Sequence, residues 1–303
     1  MADLLVVGSV ALDSVETPFG KVQEVLGGSA TFFSYSASFL TQVRLVATVG
    51  QDFPEEHMKL LRDRGVDVRG LRVASGKTFR WTGAYGYDLN EAKTLETQLN
   101  VFAEFRPVLN DVSGRTPFLF LANIDPELQL DVLRQMKERP KLVALDTMNF
   151  WIQGKREALR KVLAEVDVVT VNDGEARQLA SEPNLIRAAR AISAMGPKTV
   201  VVKRGEYGAL LSTEDRLFFV PAYPLESVYD PTGAGDTFAG GFMGYLAAQD
   251  RIDAAAMRRA IVYGSVMASF TVEDFSLKRL TRLSPNDIAE RYTAFHDLIR
   301  VEP

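Results

Sequence analysis

Apolar runs of strand length recur along the chain, at residues 4–12, 43–49, 118–122, 142–145, 166–171, 199–202 and 209–211. Several are near-continuous Val, Leu and Ile, the pattern of strands covered on both faces rather than one. Between them lie segments with apolar residues at helical spacing, at 55–64, 127–138, 155–165 and 185–195. Strand and helix in alternation predict an α/β fold around a mostly parallel sheet. Such sheets take ligands at the carboxyl ends of their strands. Two stretches, 13–26 and 77–105, break the rhythm. In the second, Phe79, Trp81, Gly83, Tyr85 and Tyr87 fall on alternate positions, which predicts antiparallel strands with one apolar face. The two stretches together predict a small projecting sheet. No repeat, low-complexity tract or Pro/Ser-rich linker divides the chain, so residues 1–303 read as a single domain with this appendage.

Composition narrows the chemistry. The chain has 303 residues, enough to bury a large core, and its 47% hydrophobic and 24% charged content is that of a soluble globular protein. Acidic and basic residues are mixed, with a net charge of −4, which disfavours a nucleic-acid partner. No apolar run reaches the roughly 18 residues of a membrane span. Met1-Ala2-Asp3 leads into the first apolar run without a basic leader, so that run reads as a buried strand rather than a signal peptide. The absence of cysteine excludes disulfides, thiolate nucleophiles and Cys-based zinc sites. The two histidines, His57 and His296, sit in polar helical stretches and read as surface residues, so a His metal cluster or a Ser-His-Asp triad is hard to build. Chemistry therefore falls to carboxylates, backbone amides, Lys or Arg, and a hard oxygen-bound metal.

One segment has the parts for such chemistry: Tyr229-Asp230-Pro231-Thr232-Gly233-Ala234-Gly235-Asp236-Thr237-Phe238. Gly233, Ala234 and Gly235 let the backbone bend sharply and approach a ligand closely. Residues 236–248 follow with Phe238, Phe242 and Tyr245 on a helical period. A small-residue turn opening a helix offers free N–H groups to an anion, and such amides lower the barrier to phosphoryl transfer. Asp236 at its mouth fits a general base, and it equally fits the N-cap of its own helix. Asp230 before Pro231 fits an ordinary turn. The segment is neither a Walker A loop nor a protein-kinase glycine loop, and no Gly-x-Gly-x-x-Gly follows the first strand, which disfavours a dinucleotide-dependent dehydrogenase.

Residues 230–242, Asp-Pro-Thr-Gly-Ala-Gly-Asp-Thr-Phe-Ala-Gly-Gly-Phe, closely resemble the C-terminal signature of the PfkB, or ribokinase-like, carbohydrate kinase family. Gly27-Gly28-Ser29-Ala30, downstream of Asp13, resembles the family's double-glycine motif and its substrate-binding Asp. The resemblance runs from Val6 to Phe275. It implies a ribokinase-like three-layer sandwich whose two irregular stretches close over the substrate as a lid. It implies that Gly233, Ala234 and Gly235 form an anion hole, that Asp236 is the base, and that ATP and Mg2+ are used. Asn172-Asp173-Gly174-Glu175 matches the family's Asn-x-x-Glu element, with Glu175 handling the metal through water, although Asn-x-x-Glu is also a capping box. Lys203, Gly205 and Gly208 fall where the family places a nucleotide-contacting turn; Lys203 fits a phosphate partner and a solvated strand end equally well. Residues 260–270 and the turn 272–276 are expected to border the adenine. Asp13, Gly27, Gly28 and Asn149 are the implied acceptor contacts, and Asn149 also fits a plain turn.

One position departs from the family. Where many sugar and nucleoside kinases carry an Asn after the glycine pair, this chain has Phe32. In this it is similar to inositol-kinase-like members more than to ribokinase, although an aromatic residue is also a common core element. The expected activity is transfer of the ATP γ-phosphate to a hydroxyl of a sugar or cyclitol. Its rivals are a nucleoside kinase, in which Phe79, Trp81 and Tyr85 stack on a base, and a nucleotide- and sugar-sensing protein without turnover. A cytoplasmic location is expected, and the family leaves room for a monovalent cation and a lid-mediated homodimer.

Overall fold

In the computed structural model, residues 3–214 and 216–300 are described. The expectation drawn from Met1 and Ala2 lies outside them. The first apolar run does not form one strand. It divides at Gly8-Ser9-Val10 into β1 (Leu4–Val7) and β2 (Ala11–Thr17). Any side chain at Gly8 would sit 2.6 Å from the Ala122 Cβ, and the Ser9 hydroxyl accepts the Ser29 amide at 3.0 Å. The chain thus turns out of the main sheet here and enters the small one.

The remaining elements follow as β3 (Gly20–Gly27), α1 (Ser29–Ala37), β4 (Val43–Gly50), α2 (Glu55–Asp63), β5 (Asp67–Ala74), β6 (Arg80–Tyr85), β7 (Ala92–Gln98), β8 (Phe118–Leu121), α3 (Pro126–Gln135), β9 (Leu142–Asp146), α4 (Asn149–Gly154) and α5 (Arg156–Leu163). Then come β10 (Val168–Asn172), α6 (Asp173–Ala180), α7 (Leu185–Ser193), β11 (Thr199–Lys203), β12 (Ala209–Thr213), β13 (Leu217–Val220), α8 (Ala234–Gln249), α9 (Ala254–Thr271) and α10 (Pro285–Ile299).

Nine strands form the main sheet in the order β13-β12-β11-β10-β9-β8-β1-β4-β5, parallel from β11 to β5 and antiparallel at β12 and β13. Alternate residues of β1 enter different cores. Leu4 and Val6 pack with α1, α8 and α9 on one face, while Leu5 and Val7 pack with α3, α5 and α7 on the other. This is the three-layer sandwich, and it explains why the strands read as continuous apolar runs. Chain order changes direction between β1 and β8, so the crevice at the carboxyl ends there is the natural ligand site. Asp146, Asn172 and Lys203 are the last residues of β9, β10 and β11.

The small sheet is β3-β2-β6-β7. Its two outer pairs are antiparallel, as expected, but β2 pairs with β6 in parallel. That pairing lets two stretches distant in sequence leave the main body side by side. The aromatic series is only partly on one face, because Tyr87 lies beyond β6 and is 89% exposed. Edge strand β5, rich in Arg and Gly, escaped the apolar-run pattern.

Candidate active site

The turn before α8 fixes the first feature. Gly233 is the helix N-cap in left-handed conformation (φ 76°), which a side chain would strain. A Cβ there would also lie 2.4 Å from the Phe32 ring. Phe32 is 2% exposed, so it is a core residue, and its ring is the floor on which the glycine turn rests. The amides of Gly233, Gly235 and Asp236 find no acceptor among the described residues, whereas Ala234 N–H bonds Pro231 O at 3.1 Å and Thr237 N–H bonds Gly233 O at 2.8 Å. Free N–H groups at a helix start fit an anion such as a phosphate.

Asp236 is in the first turn of α8 and does not cap it. Its carboxylate accepts no hydrogen bond among the described residues. Burial, reinforced by the Asp146 carboxylate, pushes its pKa up to about 7 against the pull of Lys203. The capping alternative is thereby removed. Asp230, by contrast, is a structural turn residue. It is 1% exposed, and it accepts from Thr232 N at 2.9 Å and Ser276 N at 3.4 Å.

On the acceptor side Asp13 is buried on β2, and its Oδ2 accepts from Gly28 N at 3.3 Å. Burial raises its pKa to about 7, with Asp230 and Asp236 adding repulsion. A Cβ on Gly27 would lie 1.9 Å from Asp13 Oδ2, and Gly28 has φ 95° with the Ser9 carbonyl 2.6 Å from its Cβ position. The glycine pair thus admits the carboxylate against bare backbone. Asn149 does not join this group. It is exposed at the start of α4 and its side chain makes no hydrogen bond among the described residues, because the chain turns outward after Asp146-Thr147.

The donor side is an acidic cluster around one lysine. Lys203 Nζ donates to Asp146 Oδ2 at 2.7 Å and lies 3.0 Å from the Cβ position of Gly235, against the anion turn. It is largely covered and ion-paired, not a solvated strand end. Burial opposes its charge, but Asp146, Glu175 and Asp236 outweigh that and raise its pKa. Asn172 and Glu175 do form the capping box, each side chain accepting the other's amide at 2.7 Å. That box uses only Oε2 of Glu175. The carboxyl is 8% exposed, and burial with Asp146 beside it raises its pKa to about 7. Three neighbouring carboxylates facing one ammonium leave an excess of negative charge, which suits a cation held largely through water. Among the described residues no three acidic or histidine side chains converge into a direct metal cage.

Gly205 sits in the β11–β12 turn with φ 53°, and its Cβ position is 1.8 Å from Asn90 Oδ1 at the tip of the lid. Gly208 is explained by the hairpin, since the Val220 carbonyl lies 2.0 Å from its Cβ position. Sequence reading missed three things. Asp146, passed over for Asn149, is the hub, also accepting from Thr170 Oγ1 at 2.7 Å. Tyr85 on the lid reaches Thr232 Oγ1 at 3.3 Å. Asn123 Oδ1 and Thr147 Oγ1, past the ends of β8 and β9, are buried with no hydrogen-bond partner among the described residues. Their position after apolar strands was the available signal.

Amides waiting for negative charge beside a carboxyl poised near neutrality are what phosphoryl transfer to a hydroxyl requires. Residues 1–280 match the model of the pfkB family carbohydrate kinases. A cytidine kinase of Thermococcus kodakarensis is 32% identical over 80% of this chain and 88% of its own. A nucleoside kinase of Methanothermobacter thermautotrophicus is 25% identical over 90% of each. The nucleoside kinase of Methanocaldococcus jannaschii has the same fold, with a TM-score of 0.77 at 20% identity over 97% of this chain and 99% of its own. An E. coli protein assigned as ribokinase II, solved with ATP and Mg2+, superposes at 0.80 with 20% identity over 97% and 100%. The chain belongs to the pfkB family of carbohydrate kinases and is a phosphotransferase with an alcohol group as acceptor.

Proposed function

We propose that this chain transfers the γ-phosphate of ATP to a hydroxyl of a nucleoside. The observation that carries the transfer step is the Asp236 carboxyl, uncapped, near neutral in pKa, and beside the three free amides. Asp13 accepts hydrogen bonds from acceptor hydroxyls and holds the sugar against Gly27 and Gly28. Asp236 takes the proton as the acceptor oxygen bonds to the γ-phosphorus and the bond to ADP breaks. The amides of Gly233, Gly235 and Asp236 receive the charge on the transferring oxygens, and Lys203 lies against the same turn. Glu175 would hold Mg2+ through water, and the ion would supply charge neutralisation to the phosphates. Gly205 and the lid tip at Asn90 border the nucleotide turn. The lid excludes water and so suppresses wasteful hydrolysis of ATP.

A nucleoside is placed ahead of a sugar or cyclitol because two of the most similar relatives, over most of their length, are named cytidine and nucleoside kinases. Phe32 no longer favours a cyclitol, since its ring supports Gly233. An ADP-release screen across nucleosides, pentoses, hexoses and inositols, with and without EDTA, tests the reading. The expected result is strongest release with a pyrimidine nucleoside, abolished by EDTA. Release with a free sugar or inositol alone restores the second reading, and none with any acceptor favours a sensing protein without turnover.

A further inference from the structure

A second polar cavity, of about 540 Å³, lies apart from the Asp236 crevice. Its walls are the two segments on which the lid hangs. One is residues 72–77, leaving β5 toward β6; the other is residues 100–106, following β7. The segments are joined at its base, where Val101 N–H bonds Lys77 O at 3.1 Å. Phe79, entering the lid, stacks on Phe102 at 5.3 Å, which stacks on Phe105 at 5.4 Å. Gly76, in positive φ (128°), has Val101 Cγ1 3.0 Å from its Cβ position.

Three cationic side chains line this cavity, Arg72 and Lys77 from one wall and Arg106 from the other, against one carboxylate, Glu104. None of the three cations has an ion pair among the described residues, and Arg106 donates only to the carbonyl of its own neighbour Phe105. The arginines at the neighbouring sheet edges differ: Arg44 pairs with Asp3 and Asp67, and Arg80 with Glu24 and Asp52. Like charges gathered without partners in a concavity repel one another, and a bound anion relieves that repulsion. Guanidinium forks suit phosphate oxygens, and the volume is within the range of small-molecule sites.

We propose that this cavity is a second anion site, which takes a di- or triphosphate group and ties the two lid roots together. It is separate from the transfer site and does not depend on which acceptor is used. The test is calorimetric titration of the full chain with inorganic pyrophosphate, together with hydrogen exchange. The wild type is expected to show two classes of site. Pyrophosphate should slow exchange of amides at 75–77 and 100–106, and raising the salt should weaken binding there. Arg72→Ala with Arg106→Gln should remove the second class, weakening it about tenfold or more, and leave binding at the Gly233–Gly235 turn unchanged. Both side chains are exposed, so an unaltered melting temperature is expected. Single-site binding in the wild type, or second-site affinity unmoved in the double variant, overturns the proposal. Should the double variant fold poorly, Lys77→Gln alone carries the same comparison, and an absence of slowed exchange at 75–77 and 100–106 in the wild type overturns the proposal by itself.

Discussion

Tyr85 shows how one side chain can join two parts of the molecule. It sits on β6 of the lid, yet its hydroxyl meets Thr232 in the anion turn. Burial pushes its pKa up to about 12, so it remains a neutral phenol across the working range, its oxygen accepting from Thr232 Oγ1. Tyr85→Phe keeps the ring and removes only that link. It should lower kcat/KM by about tenfold and the melting temperature by about a degree or two, the cost of one part-buried hydrogen bond. An unchanged kcat/KM means that the lid closes without it. Asp236 makes a second prediction at this scale. A base with a pKa of about 7 is half-protonated at that pH, so kcat/KM should fall as the pH drops below it. A profile flat from pH 5 to 8 contradicts the assignment. Little of this was readable beforehand. The motif pointed to Asp236, but spacing alone could not separate a base from a helix cap, and the left-handed Gly233 at the N-cap removes the cap. Asp146 ends the strand that Asn149 follows; Asp146 is the one that meets Lys203, a partner far along the chain that spacing does not reveal.

At the level of elements, α8 is positioned by close packing. A Cβ at Gly240 would meet the Phe33 carbonyl at 2.5 Å, and one at Gly241 the Tyr263 carbonyl at 2.8 Å, so α8 lies tight between α1 and α9. Its N-terminus, with the free amides, is therefore held rigidly over Phe32. Gly233→Ala forces a Cβ into that ring and strains a positive φ. It should cost about 1–3 kcal/mol of stability and most of the activity. An active variant of unchanged stability indicates that the turn relaxes without consequence. The lid is anchored at its root by Asp52, which accepts from Thr78 N at 2.7 Å and Thr78 Oγ1 at 2.8 Å and pairs with Arg80 at 2.9 Å. The parallel strands were legible because burial on both faces writes continuous apolar runs. The break at Gly8 and the parallel β2–β6 pair were not, because each is decided by contacts between residues distant in sequence.

For the whole molecule, the crevice is paid for in stability. Asp13 and Asp236 have an ordinary pKa of 3.8 and stand at about 7 when folded. Between about pH 4 and 7 the folded state therefore binds more protons than the unfolded one, and stability falls as the pH rises through that window. Asp67, held below its ordinary value chiefly by Arg69, acts in the opposite sense but only at lower pH. The ligand-free protein should thus melt several degrees lower at pH 8 than at pH 5.5. Asp236→Asn should recover about 1–2 kcal/mol of this at pH 8, roughly 2–4 °C. A melting temperature that rises from pH 5.5 to 8 contradicts the burial of these charges. Among the described residues no helix is long and apolar enough to cross a membrane.

The Asp236→Asn protein also tests the proposed chemistry. ATP binding is measured by calorimetry, and turnover by ADP release with the best acceptor found in the screen. Asparagine keeps the shape of the side chain and leaves the amides of the turn free, so ATP affinity should stay within a few-fold of wild type. It cannot take the proton, so turnover should fall by at least about 100-fold. Phosphorylation of the acceptor at near the wild-type rate would show that Asp236 is not the base.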